Sequence, residues 1–212
     1  MSAILQDISE KLQKGKMKEV AELVKQAVAD GIQPLTILNE GLMPGMDIIG
    51  ERFKKNDIFI PEVLIAARAM AAGTDVLRPL LVGDQMEEKG TVVIGTIKDD
   101  LHDIGKNLVV LMMESRGYTV VDMGVDVKEE QFVAGIKEHK PDIVGMSSLL
   151  TTTMMKIDDT VKLINESGLR DQVKIIIGGA PISQEFADDI GADGYSEDAS
   201  TAVELCDRMM AM

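Results

Sequence analysis

The sequence predicts two units of different class: a helical bundle over residues 1–88 and a five-stranded, doubly wound parallel α/β domain over 89–212. Three observations predict this. Apolar residues recur at helical spacing up to about residue 82. VGDQMEEKG, at 82–90, is polar and glycine-flanked like a linker. Beyond it, short apolar runs alternate with amphipathic segments. Runs apolar on both faces, separated by helices, belong to a parallel sheet covered on each side.

In the first unit a helix is expected near residues 3–13. In KMKEVAELVKQAVADG, Met17, Val20, Ala21, Val24, Ala27 and Val28 form one stripe, and Gly31 is the stop signal. Pro34 opens the next helix, where a missing N–H costs nothing. Its apolar face runs through Leu35, Ile37, Leu38, Leu42, Met46, Ile49 and Phe53, with Pro44 marking a break or kink. Pro61 starts another helix, carrying Val63, Leu64, Ala67, Met70 and Ala71. Four or five such helices make a small antiparallel bundle. In the second unit strands are predicted at 91–97, 118–124, 142–148, 173–179 and 193–195. Helices are predicted at about 104–116, 128–138, 154–167, 183–190 and 198–210.

Composition narrows the function. A formal net charge of −14 excludes nucleic acid and anionic membrane as partners, because both demand a basic surface. No apolar run reaches the roughly 18–20 residues of a membrane span, and the N-terminus has no apolar signal segment, which together predict a cytoplasmic protein. The single cysteine, Cys206, rules out an internal disulfide or a cysteine-cluster metal site, and is expected in the core. Aromatics are 3% while there are 15 methionines. Either Met replaces aromatics in the core, or Met112, Met113, Met154 and Met155 line an adaptable surface near a large ligand.

In doubly wound sheets, ligands sit over the carboxyl ends of the strands near the switch in strand order. The loops to inspect are therefore 97–104, 147–153 and 178–183. They carry Asp100-Leu101-His102-Asp103-Ile104-Gly105, then Ser147-Ser148-Leu149, then Gly178-Gly179. Each is weak alone. A histidine among Asp99, Asp100 and Asp103 is consistent with a metal ligand, an acid–base group or an ordinary loop residue. His139, in KEHKPD, reads as a solvent-facing helix end, and the acids of 184–198 as a solvated face.

Together the three loops are more specific. Asp-x-His-x-x-Gly, a gap of 41 residues (106–146), Ser-x-Leu, a gap of 28 residues (150–177) and Gly-Gly resemble the signature of corrinoid (cobalamin)-binding domains. The segment GERFKKNDIFIPEVLIAARAM resembles the bundle preceding that domain in cobalamin-dependent methionine synthase and in the small corrinoid proteins of methyltransferase systems. The resemblance covers nearly the whole chain, and implies a flavodoxin-like cobalamin-binding domain behind a helical cap. It implies that His102 is the lower axial ligand of cobalt, in place of the cofactor's own dimethylbenzimidazole. Asp100 would take the other imidazole nitrogen, and Ser147 would extend the chain and pass protons. Gly105 would let backbone approach the corrin. Ser147, Leu149, Gly178 and Gly179 would make room for the nucleotide tail. Asp103 and Ile104 would complete the loop, Asp103 as a helix cap. Thr151, Thr152 and Thr153 would donate to the tail phosphate or the corrin amides. Asp99 departs from the glycine often found there in the family, and its role is open.

The implied function is a corrinoid methyl carrier. Cob(I)amide would accept a methyl group from a substrate-specific methyltransferase, and methyl-Co(III) would pass it to a second methyltransferase, with tetrahydrofolate or coenzyme M as acceptor. A reductive activase would repair adventitious oxidation, and the chain would not be catalytic alone. The bundle would cap the upper cobalt face through Phe53, Val63, Leu64, Ala67 and Met70, with 82–90 as hinge. The contrasting reading is a non-catalytic cobalamin store or sensor. A phospho-receiver shares the topology, but needs an aspartate where the third strand ends, at Ser147, and a lysine ending the fifth. Residues 95–105 lack the glycine pattern of a Rossmann nucleotide site, and a zinc hydrolase would need more ligands than one histidine.

Overall fold

The computed structural model describes residues 2–81 and 89–211. The chain divides into two compact units, Met1–Glu87 and Glu88–Met212. Most of the expected linker and hinge, residues 82–88, lies outside the described residues.

The first unit is helical: α1 (Ala3–Gln13), α2 (Met17–Ala29), a short α3 (Pro34–Ile37), α4 (Met43–Lys54) and α5 (Ile60–Leu77). Its core is formed by the predicted stripes, with Leu5, Ile8 and Leu12 of α1 and Val20, Val24 and Ala27 of α2 buried. Helix α2 stops as Gly31 predicts. At φ +82° that glycine donates to Val28, and Ile32 donates back to Ala27, 3.0 Å away. This double bond pattern satisfies the last carbonyls of the helix. Between α3 and α4 the helix widens into one π turn, Leu38–Leu42, and the Met43 N–H reaches five residues back to the Leu38 carbonyl. Pro44 follows at once. A proline ring collides with the carbonyl four residues back and brings no donor, so the break expected there is taken up by a wider turn. Of the five side chains expected on a cap face, Val63, Ala67 and Met70 are buried and Phe53 is half-buried, while Leu64 is exposed.

In the second unit the chain alternates through β1 (Thr91–Thr96), α6 (Ile104–Ser115), β2 (Thr119–Asp122), α7 (Glu129–His139), β3 (Ile143–Ser147), α8 (Met155–Glu166), β4 (Lys174–Gly178), α9 (Gln184–Ile190), β5 (Gly194–Ser196) and α10 (Ala199–Met210). All strand pairs are parallel, in the order β2-β1-β3-β4-β5. Every predicted strand and helix of this unit is present, within a residue or two of its expected ends. The strands are runs of Val and Ile because both sheet faces are covered, and Phe132, Ile136, Ile157, Val161 and Ile164 of the covering helices complete one core with them. Met112 and Met113 are buried and Met154 packs on that core, so methionine here replaces aromatic filling; Met155 alone of the four is exposed. Cys206 is buried, as expected, and His139 is the last residue of α7.

Two of the acids read as a solvated face have structural work. Asp193 accepts from the Ile175 N–H at 2.7 Å and pairs with Arg170 at 2.8 Å, and Asp198 caps α10 through the Thr201 N–H at 2.8 Å. The carboxyl ends of three strands lie in one register row, Thr96–Ser147–Gly178. Just past it, Gly179 has φ +130°, and a Cβ there would lie 1.7 Å from the Ser148 carbonyl oxygen. The two backbones can be this close only without a side chain. Gly179→Ala is accordingly expected to destabilise the α/β unit by about 3 kcal/mol or more, read as a lowered urea midpoint by circular dichroism.

Candidate functional site

Because β1 lies between β2 and β3, the connections after β1 and β3 leave the sheet on either side of a crevice. The loop after β1 turns tightly: the Asp100 N–H bonds to the Ile97 carbonyl at 3.2 Å, with Asp99 at φ +65°. That left-handed position suits glycine, and aspartate is among the few other residues that adopt it readily. This accounts for the Asp99 departure in backbone terms. Asp126, also left-handed, holds the turn by accepting from the Asp99 N–H at 2.8 Å and donating its own N–H to the Asp100 carbonyl at 3.0 Å.

The turn carries the Asp100 side chain into the protein, where it has no exposed surface. Its Oδ1 accepts from the His102 N–H at 3.1 Å and lies 2.7 Å from the His102 Nδ1. A carboxylate can only accept, so Nδ1 carries the proton, and in the neutral imidazole Nε2 then keeps its lone pair. Oδ2 accepts from the Leu149 N–H at 2.8 Å and from the Thr153 hydroxyl at 3.0 Å. Burial pushes the Asp100 pKa up, but the bonds from Leu149, His102 and Thr153 outweigh it and hold the group well below the usual carboxylate range. The imidazole itself is 51% exposed. Sequence reading placed Asp100 and His102 together, and the structure brings them into contact.

The hydroxyl that meets Asp100 is not the expected one. Ser147, last in β3, is half-buried and makes no hydrogen bond to Asp100 among the described residues; Thr153 and, behind it, Ser148 take that place. Successive residues of an extended strand point to opposite faces. Ser147 shares the face of its register partners Thr96 and Gly178, and the next residue, Ser148, turns towards Asp100. Asp103 occupies the N-cap position of α6, but its side chain accepts from the Asn107 side-chain amide at 3.1 Å rather than from a backbone N–H. Around His102, Leu101 is 72% and Ile104 70% exposed, and Leu149 is exposed too. A Cβ on Gly105 would meet nothing within 4 Å, so the chain itself does not demand glycine there. Gly178 and Gly179 are instead held by close backbone, near the Ser196 and Ser148 carbonyl oxygens. Thr151 and Thr152 are exposed.

Three contributors were not legible from the motif. Thr96 is buried and donates to the His102 carbonyl at 2.9 Å, and a polar residue ending an otherwise apolar strand was the available signal. Lys106, with its ammonium buried, binds both Asp122 oxygens at 2.7 and 2.6 Å and ties α6 to the end of β2. Thr153 stood out only as one of three consecutive threonines. Among the described residues no cluster of three His, Cys, Asp or Glu is arranged to hold a bare metal ion.

The depressed Asp100 value fixes a pH dependence. The folded-state pKa lies below the ordinary 3.8, so the stabilisation is complete above about pH 4 and is lost as pH falls through the folded value. Asp100→Asn should cost about 3 kcal/mol at neutral pH and flatten the acid limb of a stability–pH profile measured by urea unfolding on the ligand-free protein.

Comparison with known proteins places this geometry. Two family profiles described as B12 binding domain match the chain, one over residues 90–204 and one over 4–78. A corrinoid protein of Desulfitobacterium hafniense is 39% identical over 98% of each chain. Trimethylamine corrinoid protein 2 of Methanosarcina mazei is 44% identical over 86% of this chain and 85% of its own. Among solved structures, the methanol:cobalamin methyltransferase complex MtaBC of Methanosarcina barkeri matches with a TM-score of 0.85 and 30% identity, over 98% of this chain and 80% of that one. A cobalamin-binding protein of Desulfitobacterium hafniense matches with a TM-score of 0.82 and 31% identity, over 97% and 98%. The chain therefore belongs to the corrinoid proteins built on the B12 binding domain, and its cofactor is cobalamin or a related corrinoid.

Proposed function

We propose that the protein is the methyl-carrying subunit of a methyltransferase system, with His102 as the lower axial ligand of cobalt. The single observation that carries this is the His102–Asp100 pair: one imidazole nitrogen is fixed by a buried carboxylate 2.7 Å away, and the other is left for a metal. The surroundings fit a large, flat, mostly apolar ring. Leu101, Ile104 and Leu149 are exposed beside the histidine, and the space a Cβ would fill at Gly105 is open. A bound corrinoid supplies a cobalt centre that takes a methyl group from one partner and releases it to another.

The chain's own residues hold and orient. Asp100 keeps the proton on Nδ1 and sets the ring plane, which raises the donor strength of Nε2. Thr96 fixes the histidine backbone, and Lys106 with Asp122 fixes the helix whose first turn carries Ile104 and Gly105. Ser147, Leu149, Thr151, Gly178 and Gly179, on the neighbouring loops, would flank the nucleotide tail.

The partners in this reading are a substrate-specific methyltransferase, a second methyltransferase using tetrahydrofolate or a thiol such as coenzyme M, and a reductive activase. The carrier would meet them in the cytoplasm; among its described residues no helix is long and apolar enough to cross a membrane. Relatives named for trimethylamine and dimethylamine are 39–45% identical, against 30% for the methanol complex, so methylated amines are the first donors to assay.

Two outcomes are expected. Reconstituted with hydroxocobalamin and reduced by one electron, protein carrying ¹⁵N-histidine should show ¹⁵N rather than ¹⁴N splitting in the cobalt EPR signal, and His102→Ala should lose it. Unchanged splitting in the variant would rule out His102 as the ligand. Asp100→Asn should weaken corrinoid affinity or methyl transfer with a cognate methyltransferase by about 10- to 100-fold.

A further inference from the structure

We propose that Lys106 is a positioning residue of the corrinoid site. Its buried ammonium closes a ring of hydrogen bonds that holds the first turn of α6, with exposed Ile104 and Gly105, in place before the corrinoid arrives. The proposal rests on the reading that the corrinoid binds over this edge, and deepens it.

Lys106 is the third residue of α6, and its side chain is 1% exposed. A cation in a first turn opposes the helix dipole, and a buried ion pair seldom gains stability over apolar packing. Neither local preference explains this lysine; its bonds do. The ammonium donates to Asn107 Oδ1 at 2.7 Å and to the two Asp122 oxygens at 2.7 and 2.6 Å, one acceptor for each of its protons. Asn107 in turn donates its side-chain amide to Asp103 at 3.1 Å. On the far side, Asp122 Oδ1 accepts the Gly124 N–H at 2.9 Å, and the Gly124 carbonyl accepts the Thr96 N–H at 3.0 Å. The Thr96 hydroxyl donates to the carbonyl of His102, the residue before Asp103, at 2.9 Å. The bonds therefore close a ring that runs from His102 through Lys106 and Asp122 and back by Thr96. Ile104 and Gly105 are bracketed between two of its members. Their turn needs that support. Helix ends fray, glycine loosens the backbone, and the Asp103 side chain caps no backbone N–H. Ile104 is 70% exposed, and a Cβ at Gly105 would meet nothing within 4 Å. Packing does not hold these two residues, so the ring does.

Affinity and stability, measured side by side on the full-length protein, test this. Hydroxocobalamin binding is followed by its absorption spectrum, and unfolding of the ligand-free protein in urea by circular dichroism. Asp122→Asn alone strands the buried ammonium and should lower the urea midpoint. Lys106→Met combined with Asp122→Asn leaves no unpaired charge and keeps an acceptor for Gly124. Its midpoint should stay within about 0.5 M of wild type. Its dissociation constant for hydroxocobalamin should still rise about tenfold, the effect of losing a support behind residues that meet a cofactor. A merely structural pair would move affinity only together with the midpoint. A folded double variant with wild-type affinity overturns the proposal. Should that variant not fold, amide hydrogen exchange in the wild type decides. The Asn107 N–H is bonded to the Asp103 carbonyl at 2.7 Å in the first turn of α6. Protection there that rises less than about tenfold on adding hydroxocobalamin supports a preformed turn, and a larger rise overturns it. The two readings fail separately. Unchanged EPR splitting in His102→Ala overturns the axial-ligand reading and leaves the Lys106 result standing, whereas wild-type affinity in the double variant does the reverse.

Discussion

A carboxylate with no exposed surface must be given hydrogen bonds, and the architecture around Asp100 is the consequence. Four donors approach it within 3.1 Å, two from the residue it serves and two from the loop after β3. An unpaired charge at that depth would cost several kcal/mol, so the loop after β1 and the loop after β3 are held to each other by electrostatic need. The same four bonds determine which nitrogen of His102 faces outward. Site chemistry and loop structure are therefore a single interaction seen from its two ends.

That interaction requires β1 and β3 to be neighbours, which the strand order β2-β1-β3-β4-β5 provides. The surrounding supports converge on the same edge. Asp126 closes the left-handed turn at Asp99, Thr96 holds the His102 carbonyl, and Lys106 with Asp122 fixes the start of α6. At Gly179 the chain past β4 passes so close to Ser148 that a side chain is excluded, which pins the loop bearing Thr153 from the far side. Away from the site, Asp207 gathers Lys89 at 2.8 Å, Tyr118 at 2.9 Å and Arg116 at 3.2 Å, and so anchors the residues leading into β1 and β2 to α10.

Much of this was legible in the residues. Strand and helix positions of the second unit follow from the alternation of Val/Ile runs with amphipathic segments, and burial on both faces leaves little other choice. The Asp100–His102 pairing follows from a two-residue separation on one loop. The relay beyond Asp100 was not legible, because Ser147 and Ser148 are adjacent and identical in type. Which one faces the carboxylate is a question of strand phase at the last residue of β3. Thr153 was hidden for a related reason: three consecutive threonines differ only in burial, and the first two are exposed while the third is not. Among the acids near the C-terminus, Glu185, Asp188, Asp189, Asp193 and Glu197 are exposed as a solvated face requires, and Asp193 and Asp198 serve backbone N–H groups besides.

The sequence by itself determined the class of each unit, the sheet edge at which the three motif loops gather and the pairing of His102 with Asp100. Those properties follow from periodicity and from spacing along the chain. Only the tertiary structure decided which hydroxyls complete the Asp100 shell, why Gly179 admits no substitute and why Asp99 is tolerated. Each of these depends on a contact or backbone angle set by segments dozens of residues apart, and periodicity along one chain carries no information about how such segments meet.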